Sequence, residues 1–318
     1  MKPETIPVLF CPDGSYFQHA GAAMASLLQA NRARTFDIFV CSETRNPEAE
    51  EKLSSIASRF GNASIKFLEF KLADRYGYLK IDRYFTLAAY MRLFVTEFLD
   101  PSVKRLLYLD CDIIVLGDVG QLWQTDMGGA FVAAVPDPCI HSHLGFQRGD
   151  VYFNSGVMLV DVARWREANI LPELLRFAME NAASMRYYDQ DVLNLVLRGK
   201  IKPLDYQWNF HSFFPDLPPE TLNMNAQEFD RLRRTPSIVH FTTEYKPWFY
   251  KHEPHYKKIY YDALSLTPWK DYRPPDQTPR SVVLKALQLK RLKERLRWYI
   301  PRPAMFFHTM LGAGNRSK

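Results

Sequence analysis

Short apolar runs separated by helical patterns fill the opening part of the chain. The runs IPVLFC, FDIFVCS and SIKFLEF are rich in β-branched and aromatic residues, and between them lie the Ala-rich stretch HAGAAMASLLQAN and the acid-rich stretch NPEAEEKLSSIASRF. The short runs are typical of strands, and the longer stretches are typical of helices. Because strands that alternate with helices pair in a mostly parallel sheet, we predict an α/β fold.

The middle of the chain continues this alternation. Residues 84–99 form a strongly apolar stretch that predicts a helix, ended by Asp100-Pro101. In the next segment, KRLLYLDCDIIVLGDVGQLW, continuous apolar runs flank two aspartates, which is typical of a strand buried on both faces. GGAFVAAVPD predicts another strand, FNSGVMLVDVARWRE a strand passing into a helix, and YYDQDVLNLVLRG a short helix. Residues 201–255 are rich in Pro and aromatics and predict irregular structure, with a short strand at SIVHF.

Composition and charge divide the chain into two unequal parts. The 318 residues are 47% hydrophobic and 24% charged, which is typical of a globular chain with a sizeable core. The net charge is +6, yet residues 280–318 hold ten Lys or Arg against one acid, and the remaining residues hold 31 basic and 34 acidic groups. A basic tail on a mildly acidic body indicates no nucleic-acid partner and predicts contact with an anionic surface.

The cysteines and the N-terminus indicate the compartment. Cys11, Cys41, Cys111 and Cys139 contain no C-x-x-C pair, which excludes a thioredoxin-type motif or a clustered zinc site. The first residues do not resemble a signal peptide, and no apolar run reaches the roughly 18 residues of a membrane-spanning helix. We therefore expect a cytoplasmic protein. The G-x-G-x-x-G fingerprint of dinucleotide-binding proteins is also absent.

The two aspartates in LDCDII are the first candidates for chemistry. On a strand Asp110 and Asp112 would point to the same face, where they would converge on one cation, with Cys111 turned into the core. Carboxylate oxygens suit Mg²⁺ or Mn²⁺. Two solvated aspartates at a strand end are the alternative. A metal site is favoured because the pair directly follows a wholly apolar strand, where uncompensated charges are costly.

A phosphatase of the haloacid dehalogenase type would use the same residues differently. Such enzymes place D-x-D after an apolar strand, with the first aspartate, here Asp110, as nucleophile. Their motif normally lies near the N-terminus, with Thr or Val two residues beyond the second aspartate. Here about a hundred residues come first and Ile114 stands at that position, which weakens this alternative.

Seven motifs occur in order over residues 6–250: CPDGSY, AAYMRLF, RLLYLDCDIIV, AAVPD, YFNSGVMLVDVARWR, YYDQDVLN and VHFTTEYKPW. With them the sequence resembles glycosyltransferase family 8, especially its bacterial lipopolysaccharide galactosyl- and glucosyltransferases. The resemblance implies a GT-A type single Rossmann-like domain with a mostly parallel mixed central sheet. It also implies transfer of a hexose from UDP-galactose or UDP-glucose to a glycan or lipid-linked saccharide acceptor.

The same resemblance implies the ligands of the donor. Asp110, Asp112 and His240 match residues that hold Mn²⁺, or Mg²⁺, against the diphosphate, although a lone histidine is more often a core residue. The substrate-binding positions that match the family are Cys11, Asp13, Ser15 and Tyr16 near the uracil and ribose, Cys111 between the aspartates, Arg92, Asp137, Asn154, Ser155, Asp189 and Gln190 near the sugar, and Thr243 and Lys246 near the phosphates. A structural salt bridge is the alternative for Arg92, and an ordinary surface position is the alternative for Lys246.

The implied reaction retains the α-configuration of the sugar. The position nearest the β-face matches Gln190, an amide and a poor nucleophile. Either Asp191 or Asp189 moves in as the catalytic nucleophile, or the acceptor attacks from the face that UDP leaves, with a β-phosphate oxygen as base. We favour the second route.

Two residues depart from the family pattern. The family usually has Gly three residues after the late histidine, where this chain has Thr243, and an aliphatic or small residue in the D-x-D, where this chain has Cys111. Cysteine behaves as a small apolar residue, so the second change is mild. The first change affects the loop that closes over the phosphates.

The basic tail is predicted to be a membrane-association segment. We divide the chain into a sugar-nucleotide transferase domain, 1–265, and a basic amphipathic tail, 266–318, in which Val282 to Ile300 fits a helix. Peripheral binding to the anionic inner face of the plasma membrane is preferred over a partner-docking or crystal-disordered helix. A non-catalytic sugar-nucleotide-binding or membrane scaffold protein is the remaining alternative to an enzyme.

Overall fold

A computed structural model describes residues 4–77, 87–138, 145–146 and 150–286 of the chain. A seven-stranded sheet with the strand order β3-β2-β1-β4-β7-β6-β8 forms the centre of the fold. Its strands are β1 Thr5–Phe10, β2 Thr35–Ser42, β3 Ala63–Glu69, β4 Arg105–Leu109, β6 Val132–Pro136, β7 Phe153–Asp161 and β8 Ile201–Pro203. All neighbouring pairs are parallel except the two that involve β7. The sheet is therefore mostly parallel and mixed, as predicted.

A smaller three-stranded sheet lies beside the first. Its order is β5-β10-β9, with β5 Ile113–Val115, β9 Phe210–His211 and β10 Ile238–His240. β10 pairs antiparallel with β5 and parallel with β9. These pairs bring residues from the middle and the last third of the chain together, next to the end of β4.

Twelve α-helices are present among the described residues. They are α1 Phe17–Ala30, α2 Pro47–Phe60, α3 Leu72–Tyr76, α4 Leu87–Tyr90, α5 Val95–Phe98, α6 Val119–Trp123, α7 Val162–Glu167, α8 Leu171–Glu180, α9 Tyr188–Val196, α10 Ala226–Arg234, α11 Lys257–Leu264 and α12 Pro279–Ala286. Short 3-10 helices lie at Gly14–Tyr16, Met91–Phe94, Tyr206–Trp208, Phe214–Asp216 and Pro219–Leu222.

Both faces of the central sheet are buried. Along β1, Val8 and Phe10 pack against α1 and α2, and Leu9 packs on the opposite face with residues of α7, α8 and α9. β4 alternates in the same way, with Leu107 on the first face and Tyr108 on the second. Since successive side chains of a strand point to opposite faces, continuous apolar runs were needed at these positions.

Capping residues delimit α2, which lies where the acid-rich stretch predicted a helix. The Asn46 side chain accepts a hydrogen bond from the Ala49 backbone N–H at 3.1 Å, and Pro47 occupies the first helical position. Gly61 ends the helix with φ of 72°, a conformation that a side chain disfavours. The helix therefore begins and ends within one residue of the predicted limits.

Three elements differ from the sequence prediction. The strand predicted across the two aspartates is wrong, because the chain leaves the central sheet after Leu109 and β5 belongs to the second sheet. The described part of the helix predicted over 84–99 is three consecutive short helices, and the Arg92 side chain donates to the Ala89 carbonyl that a regular α-helix would use for Leu93. The region 201–255 contains α10, whose capping box of Asn225 and Glu228 the prediction missed.

The residues after α11 pack on the transferase domain as far as they are described. Leu266 and Trp269 contact the apolar cluster around α1 and α2, and the edge of the Trp269 ring covers Gly21. In α12, Lys285 forms an ion pair with Glu253. The division at residue 265 stays a prediction, and the predicted membrane-binding segment from 287 to 318 lies outside the described residues.

Within the described ranges, we find no helix with both the length and the apolar character required to cross a bilayer.

Candidate active site

The site lies where the carboxyl ends of β1 and β4 meet the first residues of β7. Parallel strands end at the same edge of a sheet, and β7 runs antiparallel, so its first residues lie at that edge too. The turn after β4 carries Asp110, Cys111 and Asp112, and β7 carries Asn154 and Ser155. Four further elements complete the site: the 3-10 helix Met91–Phe94, the first turn of α9, the end of β10 and the segment that follows β10.

Asp110, Asp112 and His240 form one cluster. One ligand atom of each lies within 4.8 Å of the others. His240 Nε2 is 3.1 Å from Asp112 Oδ1 and 3.6 Å from Asp110 Oδ2. His240 is 3% exposed, and its ring position follows from the pairing of β10 with β5. The turn that interrupts the predicted strand therefore still brings both carboxylates to one point.

Lys246 reaches the same cluster from the loop after β10. Its Nζ donates to Asp112 Oδ2 at 2.5 Å and to the Phe241 carbonyl at 2.6 Å. Burial alone raises the pKa of Asp112, but the charges and hydrogen bonds of Lys246 and His240 more than offset burial and hold the pKa well below its usual range. Asp112 is therefore an anion with a cation beside it.

Arg92 joins three elements through its guanidinium group. It forms ion pairs with Asp110 at 2.9 Å and Asp189 at 3.0 Å, and it donates to the Ser155 carbonyl at 2.8 Å and hydroxyl at 2.9 Å. The guanidinium carbon also lies 4.5 Å from the ring centre of Tyr108. Burial lowers the pKa of Arg92, but Asp110 and Asp189 more than offset this and raise the pKa above its ordinary value. Arg92 therefore stays charged in a buried position.

Asp189 is the most perturbed carboxyl near Arg92. Burial raises its pKa to about 6, Arg92 opposes this rise, and Asp110 adds to it. The Ser155 hydroxyl donates to Asp189 Oδ2 at 3.2 Å. A raised carboxyl pKa in a cleft is typical of functional sites.

Gln190 and Asp191 are held by hydrogen bonds from the protein. Gln190 Oε1 accepts from Asn154 Nδ2 at 3.1 Å and from the Ser155 backbone N–H at 3.0 Å. Asp191 is 0% exposed. Its oxygens accept from the Tyr152 hydroxyl at 2.5 Å and from the backbone N–H groups of residues 186 and 187 at 2.7 and 2.8 Å. The oxygens of both side chains are therefore occupied by hydrogen bonds from the protein itself.

Gly156 allows β7 to approach the cluster. A Cβ atom at this position would overlap His240 Cε1 and would lie 2.7 Å from Asp110 Oδ2. The Gly156 carbonyl also accepts from the Asp110 backbone N–H at 2.8 Å, which fixes the start of the turn. Any side chain at 156 would therefore push the two candidate ligands away.

The predicted nucleotide-binding residues surround the end of β1. Cys11 is buried at the strand end, near enough to Arg92 and Asp110 for their charges to act on its thiol. Asp13 precedes the 3-10 helix that carries Ser15 and Tyr16, and Ser15 is exposed. The Tyr16 ring lies 5.6 Å from the Trp248 ring in an edge-on arrangement, which connects this end of the site to the Lys246 loop.

Three other predicted residues lie around this centre. Cys111 packs in the core as predicted, and burial together with Asp110 and Asp112 raises the pKa of its thiol. Asp137 is buried directly after β6, and its backbone N–H donates to the Tyr152 carbonyl at 2.7 Å. Thr243 lies in the loop before Lys246, where its hydroxyl accepts from the Tyr245 backbone N–H at 3.2 Å.

The sequence prediction missed several residues that shape the site. Asn209 contacts His240, Tyr152 contacts Gln190 and Asp191, and His19 stacks on Trp248 with ring centres 3.6 Å apart. Gly156 stood in a quoted motif, where its proximity to Asn154 and Ser155 was the available signal. Tyr152 stood in the same motif, whereas the contacts of Asn209 and His19 join residues far apart in the chain and leave no local pattern.

The cluster fits a divalent cation. Two carboxylates and one imidazole are suitable ligands for Mn²⁺ or Mg²⁺, and the three donor atoms lie close enough to share one ion. The second ring nitrogen of His240 lies 2.9 Å from Asn209 Oδ1, and metal-binding histidines generally have such an outer partner. The Lys246 ammonium group at Asp112 already places positive charge at this point.

The fold is that of a glycosyltransferase of the GT-A class. The model of the family described as Glycosyl transferase family 8 matches residues 7–252, so the chain belongs to glycosyltransferase family 8. General stress protein A of Bacillus subtilis (strain 168) is 31% identical over 84% of this chain and 96% of its own length. Lipopolysaccharide 1,2-glucosyltransferase of Escherichia coli (strain K12) is 27% identical over 86% of this chain and 81% of its own length.

Solved structures agree on the fold. The galactosyltransferase LgtC, in complex with donor and acceptor sugar analogues, superposes with a TM-score of 0.73 at 20% identity over 84% of this chain and 99% of its own. The bifunctional glycosyltransferase WbbM gives a TM-score of 0.70 at 23% identity over 84% of this chain and half of its own length. The GT-A prediction is confirmed, and the family assignment argues against the phosphatase alternative.

Proposed function

We propose that the protein is a retaining hexosyltransferase that moves galactose or glucose from a UDP-sugar to a glycan hydroxyl with the help of Mn²⁺. The observation that carries this proposal is the cluster of Asp110, Asp112 and His240 with Lys246 beside it, at the carboxyl edge of a GT-A sheet. Two carboxylates, an imidazole and an ammonium group suit a metal-bound diphosphate better than any uncharged ligand.

The proposed roles follow from where each side chain lies. Asp110, Asp112 and His240 would hold the cation, which when bound neutralises charge that develops on the diphosphate leaving group. Lys246 is placed to contact the same phosphates, because its amine already reaches Asp112. Arg92 and Asp189 lie on the other side of Asp110, where they would bind sugar hydroxyls.

The hydrogen bonds around Gln190 support a same-face route for retention. Its oxygen accepts two hydrogen bonds from Asn154 and Ser155, so it is not oriented as a nucleophile. Asp191 is fully buried and both of its oxygens are bound. Attack by the acceptor from the face that UDP leaves, with a phosphate oxygen as base, needs neither side chain to move.

The acceptor and the location are proposed from the relatives and the tail. The relative from Escherichia coli carries lipopolysaccharide in its name, which supports a lipopolysaccharide or another lipid-linked saccharide as acceptor. Residues 280–318 hold ten basic residues and one acidic residue, and this positive charge supports peripheral binding to the inner face of the plasma membrane. Co-sedimentation with vesicles that contain an anionic lipid, but not with neutral vesicles, would support this placement, and equal binding to both would contradict it.

A screen of UDP-sugars for Mn²⁺-dependent hydrolysis tests the reaction class. We expect UDP release from UDP-galactose or UDP-glucose with Mn²⁺, loss of release in EDTA, and loss of roughly 100-fold or more in Asp112→Asn. Asp126→Asn, which changes an exposed aspartate, is the matched control and should keep full activity. Full activity in EDTA would contradict the metal-dependent mechanism, and UDP binding without turnover of any donor would favour the non-catalytic alternative.

A further inference from the structure

Six buried side chains form a continuous hydrogen-bonded chain from α9 to the candidate metal ligand His240. Asp191 binds the Tyr152 hydroxyl, Tyr152 contacts Gln190 Nε2 at 3.3 Å, and Gln190 Oε1 binds Asn154. Asn154 Oδ1 then accepts from Asn209 Nδ2 at 2.8 Å, and Asn209 Oδ1 faces His240 Nδ1 at 2.9 Å. The members are between 0% and 8% exposed, so water does not compete for these bonds.

We propose that Asn209 is a positioning residue that fixes His240 in the tautomer with hydrogen on Nδ1, which leaves Nε2 to bind the cation. This inference rests on the proposed function, because it assigns a purpose to the orientation of one of the proposed ligands. It concerns a residue that belongs to none of the sequence motifs considered above.

The direction of every amide in the chain is determined by its neighbours. The Ser155 backbone N–H can only donate, so Gln190 must present Oε1 to it, and the same oxygen then accepts from Asn154 Nδ2. Asn154 Oδ1 is left to face the Gly156 backbone N–H at 3.0 Å and Asn209 Nδ2. If any one amide were flipped, a donor would face a donor or an acceptor would face an acceptor. In a buried position such a pair is costly.

The last link decides the state of the histidine. With Nδ2 committed to Asn154, Asn209 offers His240 only the acceptor Oδ1, so Nδ1 must carry a hydrogen. Nε2, which lies against Asp110 and Asp112, is then the ring nitrogen that a cation would bind in place of a hydrogen. Outer partners of this kind fix the ring orientation of metal-binding histidines, and their removal typically weakens metal binding by roughly 10–100-fold.

The fold holds Asn209 rigidly in this place. It lies between the 3-10 helix Tyr206–Trp208 and β9, and its backbone N–H donates to the Tyr206 carbonyl at 3.2 Å. The parallel pairing of β9 with β10 places His211 opposite His240, so Asn209, the residue before β9, lies beside β10. Asn209 is 0% exposed, which leaves its side chain no route to solvent.

The test compares Asn209→Leu with Asn209→Asp. Leucine has a similar size but accepts no hydrogen bond. Aspartate still accepts from Nδ1–H, but it loses the donation to Asn154 Oδ1, so we expect it to cost stability rather than Mn²⁺ affinity. In Asn209→Leu we expect Mn²⁺ alone, measured by electron paramagnetic resonance without donor, to bind roughly 10–100-fold more weakly. In Asn209→Asp we expect affinity within a few-fold of the unchanged protein.

Nitrogen NMR of the full chain labelled with ¹⁵N-histidine gives a second readout. Two-bond correlation spectra distinguish the two neutral tautomers, and His240→Gln identifies the signals of His240. We expect Nδ1 to carry a hydrogen in the unchanged protein and in Asn209→Asp, and to lose it partly or wholly in Asn209→Leu. Should Asn209→Leu fail to fold, Asn209→Ser replaces it, because serine is too short to reach His240 and should weaken Mn²⁺ binding similarly.

The matched control is Asn62→Leu. Asn62 is 8% exposed, lies before β3 at the opposite edge of the sheet, and donates to backbone carbonyls there. The Asn62→Leu variant should be less stable than the unchanged protein but should bind Mn²⁺ with the same affinity. If Asn209→Leu keeps both its Mn²⁺ affinity and the hydrogen on Nδ1, the inference about Asn209 is overturned but the proposed function is not. If the protein without any substitution binds no Mn²⁺, the metal-dependent function is overturned as well.

Discussion

The Lys246 ammonium nitrogen lies 2.5 Å from Asp112 Oδ2, inside the cluster that is proposed to hold a cation. Both side chains are largely buried, so their attraction is screened less than that of a surface pair. In this structure Lys246 therefore supplies the positive charge that Asp112 requires. A bound cation and Lys246 would compete for the same carboxylate unless a diphosphate drew Lys246 away.

Replacement of Lys246 by methionine should separate metal binding from donor binding. Without the competing charge, we expect Mn²⁺ alone to bind roughly tenfold more tightly to Lys246→Met, equivalent to about 1.4 kcal/mol. Donor hydrolysis should fall by about 100-fold, because a positive group at the phosphates is lost. Calorimetric titration with Mn²⁺ and a UDP-release assay measure the two effects.

Lys251→Met is the control for that experiment. Lys251 is exposed in the same segment and should change neither quantity. Weaker Mn²⁺ binding in Lys246→Met would show that Lys246 supports the metal site rather than competes with the metal.

Gly156→Ala should abolish the metal site with one methyl group. The new Cβ would overlap His240 Cε1 and press on Asp110 Oδ2, and the Asp110 backbone N–H holds the Gly156 carbonyl on the β4 side at 2.8 Å. We expect loss of detectable Mn²⁺ binding and destabilisation by about 1–3 kcal/mol from overpacking. Electron paramagnetic resonance and urea unfolding measure these quantities.

Gly77→Ala provides the comparison for Gly156→Ala. Gly77 is exposed and has φ of −60°, which alanine adopts readily. The Gly77→Ala variant should therefore bind Mn²⁺ normally. Retention of Mn²⁺ binding in Gly156→Ala would mean that His240 and Asp110 can move apart without loss of the site.

Asp189 and Asp191 should respond differently to the same change. Asp191→Asn places an amide where the carboxylate accepts two backbone N–H groups and one hydroxyl, so we expect destabilisation of about 1–3 kcal/mol. Activity per folded molecule should stay within a few-fold. Asp189→Asn removes one of the two anions that pair with Arg92, and we expect activity to fall by about 100-fold or more with a smaller loss of stability.

Unfolding in urea and UDP release per folded molecule distinguish these two variants. Each serves as the control of the other, since the substitution is chemically identical and the positions differ by two residues. Loss of activity in a stably folded Asp191→Asn would revive Asp191 as a candidate nucleophile.

The sequence predicted the fold and the charged centre because both depend on local patterns. Alternation of strands and helices was visible in the apolar runs, and the D-x-D followed a strand with no polar residue to balance it. His240 was found only through the motif VHF, since a buried histidine has no local signature of metal binding. The placement of α2 was predictable because its caps lie in adjacent residues.

What was missed depends on contacts between distant segments. Asn209 meets His240 only because β9 and β10 pair, 31 positions apart, in a region predicted to be irregular. His19 meets Trp248 through the packing of α1 on the last third of the chain. Where the strand breaks, the Asp110 carboxylate accepts hydrogen bonds from Arg92 and Tyr108, and no apolar pattern encodes these contacts.

The buried histidine His19 should make the protein sensitive to acid. Burial lowers the pKa of His19 to about 3, while Asp112 opposes this effect weakly and Lys246 adds to it. An unfolded histidine titrates near 6.5, so between about pH 6.5 and 3 the unfolded chain binds a proton that the folded chain does not. This contribution to stability is complete above pH 6.5 and is lost as the pH falls, by about 1.4 kcal/mol per unit.

His19→Phe should remove this part of the pH dependence. Phenylalanine can keep the stack on Trp248 but leaves the Tyr260 hydroxyl without its partner at 2.7 Å, so the variant should be less stable by about 1–2 kcal/mol at pH 7.5. On acidification only the unchanged protein loses the stability that the neutral, buried His19 contributes. The unfolding free energies of His19→Phe and of the unchanged protein should therefore become equal between about pH 5 and 6. The exposed His255, changed to Phe, is the control and should follow the unchanged protein. Urea unfolding at half-unit steps of pH measures the curves, and parallel curves for His19→Phe and the unchanged protein would contradict the neutral, buried state of His19.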